Sequence, residues 1–199
     1  MTFVAFTILF GFKYIKKEYD IYMDEKYAKE IENISEENLK VINNVIQLAT
    51  DRVGQEYTWG GKGEIITSDR LDELISEYGE SYYPLDRERY IGKQGFDCSG
   101  LKYWTYKTVT GVNIGYSTVE QKEVLNNYKV DMDKIQPGDL IYVPGHVVMY
   151  IGRNKIVESA NQMAYPIGGI KITSVMPYKR GDAYRPIEYI NKISNDYIK

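Results

Sequence analysis

The chain carries one cysteine and one histidine, and each sits where it could serve thiol chemistry. Cys98 lies in the stretch Gly95-Phe96-Asp97-Cys98-Ser99-Gly100-Leu101. With Leu101, Trp104 and Val109 at helical spacing up to Gly111, the residues after it read as an amphipathic helix. A thiol at a helix N-terminus stands at the positive end of the macrodipole, which favours thiolate over thiol. A lone cysteine is also commonly a small buried hydrophobe, so position alone leaves both roles open. His146 opens the apolar run to Ile151, which reads as a strand. A cysteine nucleophile needs a base within hydrogen-bond reach and a third polar group to orient that base. A helix packed on a sheet would bring Cys98 and His146 together; without the thiol, His146 would read as an ordinary core or surface histidine.

The same counts exclude other chemistry. A single cysteine makes no internal disulfide, and the chain has neither a Cys-x-x-Cys nor a His-Glu-x-x-His spacing, so no metal site is expected. A net charge of −3 gives no basic footprint for nucleic acid, and the twenty tyrosines therefore read as core and surface packing rather than base stacking. With 43% hydrophobic and 27% charged residues over 199 positions, the composition is that of a soluble globular protein with a sizeable core.

The elements that must position these residues follow in order. Phe3 to Phe12 form an apolar run followed by Lys13, Lys16 and Lys17. It is shorter than the roughly 17–25 residues that span a bilayer. It also lacks the basic start and small-residue cleavage site of a signal peptide. A membrane anchor, an atypical export signal and a buried first helix all compete for it. The first two are favoured because nothing later offers the run an obvious partner. Glu18 to Asn33 is charged and suits a solvated helix or stalk. Ser35 reads as the cap of a helix to about Val53 carrying Leu39, Ile42, Val45, Ile46 and Ala49. That helix leads into Tyr57-Thr58-Trp59-Gly60-Gly61, a sharp turn beside large aromatics. Ser68 reads as the cap of a short helix with Leu71, Leu74, Ile75 and Tyr78 on one side, ended by Gly79, and Pro84 to Arg89 as loop. A further helix runs from Ser117 or Thr118 through Leu125. Then the period changes to two. Leu140 to Val143, His146 to Ile151, Lys155 to Ala160, Ile170 to Val175 and Ala183 to Tyr189 read as strands, with turns at Pro137-Gly138-Asp139 and Gly152-Arg153-Asn154. Helices first and an antiparallel sheet second predict an α+β fold.

Four ordered blocks resemble the NlpC-type cell-wall peptidases of the papain-like superfamily. They are Tyr57-Thr58-Trp59-Gly60-Gly61, Phe96-Asp97-Cys98-Ser99-Gly100-Leu101, Gln136-Pro137-Gly138-Asp139-Leu140 and His146-Val147-Val148-Met149-Tyr150-Ile151-Gly152. The resemblance implies a papain-like core with N-terminal helices packed on an antiparallel sheet. It divides the chain into an N-terminal apolar segment and charged stalk (1–34) and a catalytic domain (35–199) with an insertion at 62–95. It implies a cysteine endopeptidase at the bacterial cell surface or secreted, with peptidoglycan stem peptides as substrate, no nucleic-acid partner, and no metal or cofactor. Anchoring to a membrane would fall to residues 3–12. By resemblance Cys98 is the nucleophile and His146 the general base. Asp97, Ser99 and Tyr57 match positions that contact the amino end and glutamyl part of the stem, and Ser117 a further substrate-contacting serine. Asp97 equally suits a helix cap, Tyr57 a core position and Ser117 an N-cap. The insertion would wall or cover the cleft, or lie as a solvated surface loop.

The orienting residue depends on strand register. The matching position is Glu158, where relatives commonly have His, Asn or Gln. If the hairpin loop is the three residues Gly152 to Asn154, Ile151 pairs with Lys155 and Glu158 faces Val148, on the same side as His146. A two-residue loop would instead put Asn161 opposite His146 and turn Glu158 away. Glu158 is preferred, since a carboxylate accepts an imidazole N–H and stabilises the imidazolium.

Overall fold

The computed structural model describes residues 20–197, and a six-stranded antiparallel sheet lies at its centre. The strands are β1 (Lys62–Ile65), β2 (Gln94–Phe96), β3 (Lys129–Val130), β4 (Leu140–Val143), β5 (His146–Gly152), β6 (Lys155–Ser159), β7 (Ile170–Ser174) and β8 (Asp182–Tyr184). The large sheet runs β3-β8-β4-β5-β6-β7, and β1 and β2 form a separate pair. The helices are α1 (20–31), α2 (Glu36–Thr50), α3 (Ser68–Tyr78), α4 (Cys98–Thr110), α5 (Thr118–Val124) and α6 (Pro186–Tyr197). Successive strand residues point to opposite faces, and both faces of the sheet are apolar. Leu140, Tyr142, Val147, Met149 and Val157 share a core with Val45 and Ala49 of α2 and Leu101 and Tyr106 of α4. Ile141, Val148, Tyr150 and Ile156 form a second core with Val175 and Ala183. The chain thus has the expected α+β architecture, with helices packed on an antiparallel sheet.

Helix ends show where local chemistry differs from the sequence expectation. Ser35 caps α2 as expected, accepting from the Asn38 N–H at 3.3 Å. The helix stops at Thr50 rather than Val53, with the Asp51 N–H satisfied by the carbonyls of Gln47 and Ala49. In α3 the cap is Thr67, not Ser68: its extended backbone lets Oγ1 accept from the Arg70 N–H at 3.1 Å, whereas Ser68 is already helical. Thr67→Ala is therefore expected to destabilise the protein by about 1 kcal/mol in urea unfolding, and Ser68→Ala by only a few tenths. The last expected strand, Ala183 to Tyr189, is divided. Only Asp182–Tyr184 pairs in the sheet, and α6 begins at Pro186, whose fixed φ and missing N–H suit a first helical turn.

Two further segments attach to this core. Helix α1 falls in the stretch that reads as a solvated helix or stalk, yet one face docks on the β5–β6 hairpin. Met23 is buried, Glu30 accepts from the Tyr150 hydroxyl at 2.5 Å, and Arg153 pairs with Asp24 at 2.7 Å. The apolar run at 3–12 lies outside the described residues; within them, no helix is long and apolar enough to cross a membrane. Residues 62–95 build a small core of their own from Ile66, Leu71, Leu74, Tyr83 and Tyr90. Its stem is the β1–β2 pair, with Lys62 opposite Phe96, which the sequence pattern did not indicate. The Tyr83 hydroxyl donates to the Trp59 carbonyl at 2.9 Å, and Arg89 pairs with buried Glu56. Strand β2 ends one residue before Asp97, so this segment delivers the chain directly to the start of α4.

Candidate active site

Helix α4 starts where its sequence says it must. Asp97 is the N-cap, its Oδ1 accepting from the Gly100 N–H at 2.6 Å and from the Ser99 hydroxyl at 2.9 Å. The Lys62 ammonium closes the other side, 2.5 Å from Asp97 Oδ2 and 3.1 Å from Ser99 Oγ. The Tyr57-to-Gly61 turn is clamped against this helix start: the Asp97 N–H donates to the Gly61 carbonyl and the Thr58 N–H to the Phe96 carbonyl, each at 3.0 Å. A Cβ on Gly100 would overlap the Gly61 carbonyl oxygen, so only glycine permits the two backbones to approach this closely. The clamp places buried Tyr57 in the same packed cluster as Cys98. Burial, with the charges of Cys98 and Asp97 beside it, drives the Tyr57 phenol far above its ordinary value, so it stays protonated as a hydrogen-bond donor.

His146 is the first residue of β5, after the Pro144-Gly145 turn that pairs Val143 with His146. Its Nε2 lies 2.9 Å from Glu158 Oε2, and Cys98 is close enough to the ring to favour its protonated form. With Nε2 on the carboxylate, Nδ1 is the nitrogen left for the thiol. Glu158 in turn accepts from the Thr173 hydroxyl at 2.9 Å and the Tyr178 hydroxyl at 2.7 Å. Burial pushes the Glu158 carboxyl up, but hydrogen bonds from His146, Tyr178 and Thr173 outweigh it and hold the group down at about 2. Burial likewise lowers His146, while hydrogen bonds with Cys98 and Glu158 overcome it and leave the imidazole above its ordinary value. A thiol, an imidazole and an ionised carboxylate in this order can generate a nucleophile and return its proton to a leaving group.

The register that brings Glu158 here arises differently from the simple loop arithmetic. The hairpin tip is the two-residue turn Arg153-Asn154, both at positive φ, with Gly152 opposite Lys155. A bulge between Tyr150 and Gly152 then shifts the pairing by one, giving Tyr150 opposite Ile156 and Met149 opposite Val157. Continued one step, that register sets Val148 against Glu158. A short loop plus a bulge reproduces the alignment expected from a three-residue loop. Asn161 does line the hollow beside His146, but it is exposed and its side chain accepts from the Met163 N–H at 2.9 Å.

That hollow has a volume of about 350 Å³ and is lined by Tyr57, Trp59, His146, Glu158, Asn161 and Tyr178 among others. Trp59 stands between it and the 62–95 segment, its ring 4.6 Å from that of Tyr82. The segment therefore backs one wall of the hollow. Ser117 caps α5, accepting from the Glu120 N–H at 3.1 Å; among the described residues it makes no hydrogen bond to Cys98, His146 or Glu158. Three contributors escaped the sequence reading: Lys62, Thr173 and Tyr178. Thr173 had a signal, since it lies opposite Ile156, two residues from Glu158 on the same sheet face. Lys62 and Tyr178 enter from a new strand and a short turn, for which no motif speaks. Among the described residues no group of three His, Cys, Asp or Glu could hold a metal ion.

Comparison with known proteins points the same way. The family model described as "NlpC/P60 family" matches residues 54–176. A probable endopeptidase, NlpC homolog, of Haemophilus influenzae is 29% identical over 99 residues, covering 49% of this chain and 53% of the relative. Dipeptidyl-peptidase 6 of Lysinibacillus sphaericus is 27% identical over 117 residues, 59% of this chain but only 32% of that protein. The match thus spans between a third and about half of these relatives' lengths. Among solved structures, the peptidoglycan hydrolase RipB of Mycobacterium tuberculosis superposes with a TM-score of 0.53 at 23% identity, over 79% of this chain and 70% of that one. The P60 domain of an M. avium subspecies paratuberculosis antigen gives 0.53 at 24% identity, over 75% and 97%. These two establish a shared fold, and the family match covers the Tyr57 turn, the α4 start and the β5–β6 hairpin. The chain belongs to the NlpC/P60 family.

Proposed function

We propose that the chain is a cysteine endopeptidase that hydrolyses peptidoglycan stem peptides in the bacterial cell envelope, at the bond between γ-D-glutamate and the following diamino acid. The observation that carries this reading is the Cys98–His146–Glu158 arrangement, of which His146 and Glu158 line the hollow, with Nε2 of His146 held 2.9 Å from an ionised, buried carboxylate. Relatives named as endopeptidases and a fold shared with a peptidoglycan hydrolase support it.

In the proposed reaction these groups act in turn. His146 Nδ1 takes the Cys98 proton, and the resulting imidazolium is stabilised by Glu158. The sulfur attacks the glutamyl carbonyl carbon, and the oxygen becomes an oxyanion facing the Cys98 N–H and the Tyr57 hydroxyl. His146 then protonates the amine of the diamino acid, which leaves, and a thioester remains on Cys98. Water, deprotonated by His146, attacks the thioester and releases the glutamyl product with the thiol restored. Asp97, Ser99 and Ser117 are assigned to the substrate by the family resemblance alone. Asp97 and Ser99 already hold Lys62, so a cationic group of the substrate reaching them displaces that ammonium.

The test is mass analysis of a muropeptide digest. The proposal requires new fragments that begin with the diamino acid. An amidase of the same fold would instead free whole stems from the sugar, and that product would overturn the assignment of the bond.

A further inference from the structure

Lys102 is a charge-bearing side chain that these steps leave unused. It is 0% exposed, in the interior of α4 one turn after Cys98 and therefore on the same helix face. Its Nζ donates to the Val157 carbonyl at 3.0 Å, one residue before Glu158. No carboxylate is hydrogen-bonded to it among the described residues, which makes the position a costly one for a cation. A buried ammonium bound only to a carbonyl needs a reason to be there.

The charges around the site supply one. The Lys62 ammonium cancels Asp97. Thiolate, imidazolium and carboxylate on Cys98, His146 and Glu158 then sum to one uncompensated negative charge in a largely buried setting. We infer that Lys102 is a positioning residue whose ammonium, set between the nucleophile helix and the Glu158 strand, balances the reactive thiolate–imidazolium–carboxylate set from beneath. This rests on the triad reading of the proposed function, though not on the identity of the substrate. Lys102 shares a helix face with Cys98 and meets β6 at the Val157 carbonyl, and the charges that act on it are those of Cys98, Glu158 and Asp97. Burial pulls the ammonium down to about 8, while the charges of Cys98, Glu158 and Asp97 hold it up, so it carries its proton at neutral pH.

The role separates from a structural one because the two predict opposite results for Lys102→Met. As the single cysteine, Cys98 reports alone on the rate of alkylation by iodoacetamide, followed by intact mass from pH 4 to 9. Removing a unit charge on the side chain one helical turn away, at an effective dielectric between that of protein and water, should move the acid limb of this profile up by about one pH unit, or slow alkylation about tenfold on that limb. The melting temperature should hold or rise, since an apolar chain replaces a buried cation. Superimposable profiles in a folded Lys102→Met protein would overturn the inference. Should that variant not fold, the reciprocal shift is measured by NMR on ε-¹³C-labelled lysines in wild type and Cys98→Ala. The Lys102 titration should fall by about one pH unit when the sulfur is removed, by linkage. An unchanged midpoint, or a Lys102 already neutral at pH 7 in the wild type, would contradict it. Neither readout uses a substrate. Normal alkylation shifts with no wall cleavage would therefore defeat the peptidase proposal alone, and cleavage without the shifts would defeat only the role of Lys102.

Discussion

Replacing His146 with alanine is expected to lower the cleavage of purified muropeptides by about 10³-fold or more, since general acid and general base are lost together. The side chain serves two steps of the proposed reaction, activating Cys98 and protonating the leaving amine. It does little for the core, being about one fifth exposed at the mouth of the hollow. Its removal leaves Glu158 with the Tyr178 and Thr173 hydroxyls as donors, so the carboxylate is not stranded. Activity should therefore collapse while thermal melting shifts only modestly. A His146→Ala protein that cleaves within tenfold of wild type would show that another group moves the proton.

Glu158→Gln is the second large effect, and it couples activity to pH. Gln keeps the shape but loses the charge that stabilises the imidazolium, and its amide nitrogen cannot accept from a hydroxyl. With His146, Tyr178 and Thr173 all aimed at this group, at least one donor is left without an acceptor. By analogy with carboxylate-to-amide changes in serine peptidase triads, cleavage should fall by about 10²–10⁴-fold. The stability consequence has a definite sign. Glu158 is held at about 2, below its ordinary 4.5, so its contribution is present above pH 4.5 and lost as pH falls from there toward 2. His146 is raised above 6.5, so its contribution is present below 6.5 and lost as pH rises through its folded value. The pair stabilises the fold most between these limits. Urea midpoints should drop for wild type on acidification below pH 4.5, and drop less for Glu158→Gln; parallel curves would contradict the assignment.

Much of this site was legible in the sequence because it depends on local chemistry. Asp97 both caps α4 and precedes Cys98, so helix start and thiol position were fixed by one residue. The unbroken apolar runs Leu140–Val143 and Val147–Ile151 marked two strands, and the structure buries both of their faces. Glu158 was reachable by register counting, although the tip turn and the bulge act in opposite directions and cancel. What escaped depends on contacts distant in sequence. β1 and β2 are short, rich in glycine and charge, and pair across thirty residues, so no periodicity announces them. Lys62 arrives at Asp97 only through that pairing. Thr67 outcompeted Ser68 as a cap because backbone conformation, set by the preceding Ile66 in its own small core, decides which hydroxyl can turn back. The strand expected over Ala183 to Tyr189 gives way because Pro186 ends the ladder and opens a helix, a signal present in the sequence itself.

The central claim is that Cys98 is the nucleophile of a peptidoglycan stem-peptide hydrolase. Its most direct test is to incubate wild type and Cys98→Ala, side by side and at equal concentration, with defined stem peptides and to identify the cut bond by mass. Wild type is expected to cleave between γ-D-glutamate and the diamino acid, and a folded Cys98→Ala protein to show no cleavage above background. Cleavage by the variant at the wild-type rate, or intact peptides with both proteins, would contradict it.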